Sequence, residues 1–295
     1  NRVNELIRRV ASELSGRGVR LADCARQLED DSPHGVVGRE FYFDNAHLTF
    51  DGNYEVACAV FEQAVSALPA RVRAEGAQST EAVSKEECVR RLALTPWIQR
   101  NHMDSVLQLL EKEKYDKQLG FAETMEWCRK LQEQFDVQAG PKGMEETIEA
   151  YRAALGLGDD AILRLRYVQA LLKHGRAADA VAEAQPLAEH FAYRRGVQRW
   201  LGNALKDAGQ IDAAIEALRK AVSCYPDDSG AYSQLGAALA VKQDFDGAIA
   251  AYRKAGLLNR QDASVPACMG DVFMRQKNYQ EAAQAFRTAL KLNPD

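Results

Sequence analysis

The sequence predicts a mainly α chain: a stack of helical hairpins, an α-solenoid, preceded by a partial α/β/α segment. Three observations carry that reading. Small residues recur every 34 positions in the C-terminal half, as Gly202, Gly236 and Gly270 and as Ala180, Ala214, Ala248 and Ala282. Large apolar residues keep the same register. Upstream, a helix-period pattern, a short apolar run that reads as a strand and a second helix-period pattern follow one another within about 68 residues.

The hairpin register runs through several positions at once. It aligns Leu201, Leu235 and Met269, then Leu205, Leu239 and Phe273, then Leu218, Tyr252 and Phe286, and finally Ala221, Ala255 and Ala289. Gly and Ala fit where two antiparallel helices cross closely, and the larger side chains fill the space beside each crossing. Pro226 and Pro294 close two units, because proline has no N–H to continue a helix and clashes with the preceding turn. Gly175 and Gly209 fall at turns between paired helices, where a left-handed conformation costs glycine little.

These residues resemble the tetratricopeptide pattern over roughly 161–295. The expected units are 161–194, 195–228, 229–262 and 263–295. The first is degenerate, with Val168 at the glycine position. A weaker hairpin is expected over 136–160, where Tyr151 and Ala154 imitate the second helix and Thr147 stands one residue out of register. The resemblance implies a concave groove lined by first helices that takes a protein or peptide partner. The positions it assigns to that groove are Arg199, Asn203, Lys206 and Asp207, then Ser233, Ala237 and Val241, then Asp271, Met274 and Arg275. Arg199 and Asn203 stand one helical turn apart and resemble part of a carboxylate clamp. Ala237 replaces the second asparagine of that clamp, and a solvated charged face is the alternative reading.

In the N-terminal 1–68, Val3, Leu6, Ile7, Val10 and Leu14 recur at helical spacing and predict a helix over 2–15. Gly16 and Gly18 stop it. The run Val19–Cys24 reads as a strand, 30–39 as a loop, and Val56, Val60, Phe61, Ala64 and Val65 as one face of a helix over about 54–68. The block Asp44-x-x-His47-Leu48-Thr49-x-x-Gly52-Asn53 resembles the last conserved block of the SGNH (GDSL-type) hydrolases. That likeness implies a triad in which His47 is the general base for a serine and Asp44 orients it, since a carboxylate fixes the tautomer and stabilises the imidazolium. The implied substrate is an ester or an acylated glycan. No serine here has the family's Gly-Asp-Ser context, so the chain alone is expected to be inactive. The alternatives are a helix start capped by Thr49 or Asp51, with His47 a surface residue, and a non-enzymatic scaffold whose N-terminal part is a degenerate remnant.

A helical connector is expected over 69–135. Pro69–Val83 is polar and reads as a linker, Ser84-x-x-Glu87 as a capping box, and Thr95-Pro96 as a cap followed by proline at the first helical position. Apolar residues from Trp97 to Leu110 and from Phe121 to Leu131 mark two helices. Composition narrows the function class. Net charge is −4 over 295 residues, which argues against a nucleic-acid protein. The six cysteines are scattered and form no C-x-x-C pair, so neither metal nor cofactor is expected. No apolar run reaches the ~18 residues a membrane span needs. The start at Asn1 and the open last unit lead us to expect a piece of a longer chain, whose compartment the sequence leaves unknown.

Overall fold

The computed structural model describes residues 2–32, 37, 42, 48–71, 82–111, 120–158 and 160–293. Asp44 and His47 lie outside the described residues, as do most of the expected 30–39 loop and residues 72–81 of the expected linker. The chain divides into two compact units, Asn1–Gly143 and Met144–Asp295.

In the first unit, α1 (Arg2–Leu14) forms as expected, and a 3₁₀ turn (Ser15–Arg17) follows it. Gly18 ends that turn with φ 81°, a left-handed conformation suited to glycine. The apolar stripe of α1 is exposed, Val3 at 62% and Leu6 at 49%. The expected strand Val19–Cys24 does not form. Residues 19–23 are irregular and Cys24 opens a helix, α2 (Cys24–Asp31). The reason lies in Asp23. Its carboxylate accepts from the Arg26 backbone N–H at 3.3 Å and pairs with the Arg8 guanidinium at 2.5 Å. Capping satisfies a backbone donor that a lone strand would leave bare. The hydrogen bond from Arg8 also holds the Asp23 carboxyl below its usual range. Among the described residues the β pairing is one antiparallel bridge, Tyr42 to Leu48, so the α/β/α segment is not seen.

The helix α3 (Phe50–Ala67) starts four residues before its expected position. Thr49 Oγ1 accepts from Gly52 N at 3.1 Å, and Asn53 Nδ2 donates to the Thr49 carbonyl at 2.9 Å. Three residues of the hydrolase-like block are therefore engaged in beginning a helix. Ser84 caps α4 (Lys85–Arg91) and Thr95 caps α5 (Pro96–Leu110), as the sequence predicts. The helix α6 (Phe121–Ala139) packs on α5 through Met103, Val106, Leu107, Leu110, Met125 and Cys128.

The second unit is a run of hairpins. It opens with α7 (Gly143–Leu157), which buries Thr147, Ile148, Tyr151 and Ala154. The hairpins proper are α8 (Ala161–Lys173) with α9 (Ala177–His190), α10 (Val197–Asp207) with α11 (Ile211–Cys224), α12 (Ser229–Val241) with α13 (Phe245–Leu258), and α14 (Ser264–Arg275) with α15 (Tyr279–Leu292). The alanines Ala180, Ala214, Ala248 and Ala282 are all fully buried. The glycines mark contacts too close for a side chain. A Cβ on Gly202 would fall 2.5 Å from Leu218 Cγ, one on Gly236 2.9 Å from the Tyr252 ring, and one on Gly270 2.6 Å from the Phe286 ring. No helix among the described residues is long and apolar enough to cross a membrane.

Candidate functional site

The residues assigned to the groove fall on the first helices α10, α12 and α14. Their geometry shows that several are already engaged with a neighbouring helix. Arg199 Nε lies 3.5 Å from Asp228 Oδ2, and Asp228 is largely buried because its other oxygen caps α12 by accepting from Ala231 N at 3.0 Å. The guanidinium also lies 5.1 Å from the centre of the Trp200 ring, within the range of a cation–π contact. Gly230 leaves the room for it: a Cβ there would meet Arg199 Nη1 at 2.4 Å.

Two further cations make cross-helix contacts. Lys206 Nζ donates to Gln234 Oε1 at 3.2 Å and lies 3.1 Å from Asp207 Oδ1. Arg275 Nη1 donates to the Ala240 carbonyl at 3.4 Å. So α10 and α14 both reach α12. Asp207, Asp271 and Arg275 are exposed; Asn203 is half-buried. Among the described residues Asn203 Oδ1 is buried without a hydrogen-bond partner, a cost of ~1–3 kcal/mol; Arg199 Nε makes no hydrogen bond but is ion-paired with Asp228.

The arrangement is unlike a free carboxylate clamp. The clamp expected of Arg199 and Asn203 needs an unmatched guanidinium, whereas Arg199 already faces an internal carboxylate. Asp228 and Gln234 are the residues that sequence reasoning missed. Asp228 was legible as a cap, standing immediately before the helix Ser229–Val241; its second role toward Arg199 depends on how two hairpins stack. Beside the polar part, Val241 and Met274 are about half exposed, and Ala237 is half-buried where Asn203 stands in the preceding unit. Cys268, on α14, is half-buried, and burial pushes its thiol up in pKa, as it does the Tyr252 phenol against which it packs.

The hydrolase-like pair cannot be placed, because Asp44 and His47 are outside the described residues. No curated protein matches the chain. Similar solved structures include one of MamA, 22% identical over 52% of this chain and 90% of that one, with a TM-score of 0.46. Another is MamA from its residue 41 to its end, from Desulfovibrio magneticus, 21% identical over 55% and 90%, at 0.47. A third is a thermophilic TPR protein of Thermus thermophilus, TTC0263, 18% identical over 52% and 84%, at 0.47. The tetratricopeptide repeat family pattern matches residues 201–262 and, a second time, 267–295. The second unit of this chain therefore carries tetratricopeptide repeats.

Proposed function

We infer that the chain is an adaptor whose first-helix face, with Arg199, Asn203, Lys206, Asp207, Asp271 and Arg275, holds a protein or peptide partner. Repeats of this kind are suited to protein interaction. The observation that carries the assignment is the set of exposed charges Asp207, Asp271 and Arg275 on the first helices α10 and α14, groups that a partner's side chains can reach. The half-exposed Val241 and Met274 add apolar contact on the same face. In a binding assay with an identified peptide partner, Asn203→Ala and Asp271→Ala each weaken affinity about tenfold, roughly one lost hydrogen bond to a charged or buried group. Unchanged affinity in both variants, with circular dichroism unaltered, removes these residues from the binding face.

A second reading rests on the block from Asp44 to Asn53: a serine ester or acyl hydrolase using His47 as base and Asp44 to orient it. Its support is the sequence block alone. Thr49, Gly52 and Asn53 are accounted for by the start of α3, which weighs toward the adaptor. The test needs a protein that carries a Gly-Asp-Ser block ahead of these residues. Under the hydrolase reading His47→Ala abolishes its cleavage of an activated acyl ester, and an unchanged rate discards the idea.

A further inference from the structure

The second helices α9, α11, α13 and α15 all end at one edge of the repeat unit, together with the connectors that leave them. That edge combines exposed apolar side chains with cations outside any ion pair. Large apolar side chains stand out singly: Tyr193 is 84% exposed and Leu257 67%, with Phe191 and Leu258 also exposed. Exposed cations sit among them, namely Arg194, Arg253, Lys254 and Arg260, and none of the four is ion-paired among the described residues. The cations of α10 and α14, by contrast, are tied to Asp228, Gln234 and the Ala240 carbonyl.

On α13 the two features interlock. Arg253 stands one turn before Leu257, and Lys254 one turn before Leu258, so each cation shares a face with an apolar side chain. The acids nearby are mostly engaged. Asp227 is bonded by Arg195 at 2.6 Å, and Asp262 accepts from the Ser264 backbone and hydroxyl. Asp262, bonded only by neutral donors, keeps its charge, and Glu189 is exposed, so two carboxylates stand against the four cations. In a chain of net charge −4, this edge is a local excess of positive charge.

We propose that this edge docks on an anionic lipid surface. Apolar side chains that project singly insert between headgroups without a matched pocket, and neighbouring arginines and lysines are drawn to anionic headgroups. An acidic polypeptide would supply the charge but would have to build a pocket around each of Tyr193, Leu257 and Phe191. The proposal is independent of the partner face, whose residues lie on the first helices.

The test is co-sedimentation of the full chain with vesicles of phosphatidylcholine alone and of phosphatidylcholine with about one-third phosphatidylglycerol. The bound fraction is expected to be several-fold higher on the anionic vesicles and to fall steeply by about 0.5 M salt, where charges are screened within a few ångströms. The double variant Arg253→Glu with Lys254→Glu abolishes binding, and Leu257→Ser reduces it. Gln276→Ala, at the turn between α14 and α15, leaves it unchanged. Circular dichroism confirms that these surface variants fold. Equal binding to both vesicle types, no binding to either, or binding that survives the charge reversal overturns the proposal. So does a chain that ignores vesicles but is retained by immobilised polyglutamate.

Discussion

The hairpin α8–α9 and the three hairpins after it meet the same packing requirement with opposite volumes. In the later three, a glycine on the first helix faces a large side chain on the second: Gly202 against Leu218, Gly236 against Tyr252, Gly270 against Phe286. At the corresponding positions the first hairpin carries Val168 and Ala184, both fully buried. The larger residue has moved across the crossing, and the sum is roughly kept. What looks like decay of the repeat is a change of partner at one contact, tolerated because a core selects for filled volume more than for the residue at each position.

That comparison breaks most visibly where volume is added without removal. Gly202→Val places a branched side chain where Leu218 Cγ and the Ala214 carbonyl already crowd the Cβ position. It costs about 3 kcal/mol in urea unfolding, after the ~0.3 kcal/mol that exchanging glycine for valine gains in a helix. A smaller effect is expected in the first hairpin. Ala184→Leu alone loses about 2 kcal/mol, and Val168→Gly added to it restores at least half of the loss. Additive effects in that double variant mean that the two positions do not share one space. The smallest effect concerns the turns between paired helices. Gly175 and Gly209 take φ of 71° and 78°, while Gln243 and Lys277, in the same register, take 68° and 61°. Lys277→Gly relieves a left-handed conformation disfavoured for residues with a Cβ and stabilises by about 0.5–1 kcal/mol, read as a higher unfolding midpoint.

Much of this was legible in the sequence. Gly202, Gly236 and Gly270 announce the close crossings, because no other residue fits there in three successive units. Thr49, Ser84 and Thr95 announce helix starts, because capping is a local interaction between a hydroxyl and an N–H three residues on. The run Val19–Cys24 misled because six residues are too few to show a period, while Asp23 and the eight helix-compatible residues after it were the stronger signal. The partner face was legible only as a set of positions. That Arg199 is matched by Asp228, and that Lys206 reaches Gln234, depends on how successive hairpins stack, a distance that no local pattern encodes. The edge proposed to meet lipid was hidden for the same reason: Tyr193 and Leu257 stand far apart in the chain and share only the rim at which second helices end.

The contacts that α10 and α14 make to α12 have a mechanical consequence. They lie between first helices, while the ties away from that face include Lys242 to Asp212, Arg195 to Asp227 and the Tyr225 hydroxyl to the Tyr193 carbonyl. Pulling the repeats open on the first-helix face must break directional bonds of short range between first helices, whereas flexing them the other way mostly slides apolar surfaces and loads the ties at the helix ends. The repeat unit is thus built as a spring with unequal stiffness, firm against unwinding on the side where a partner would lie.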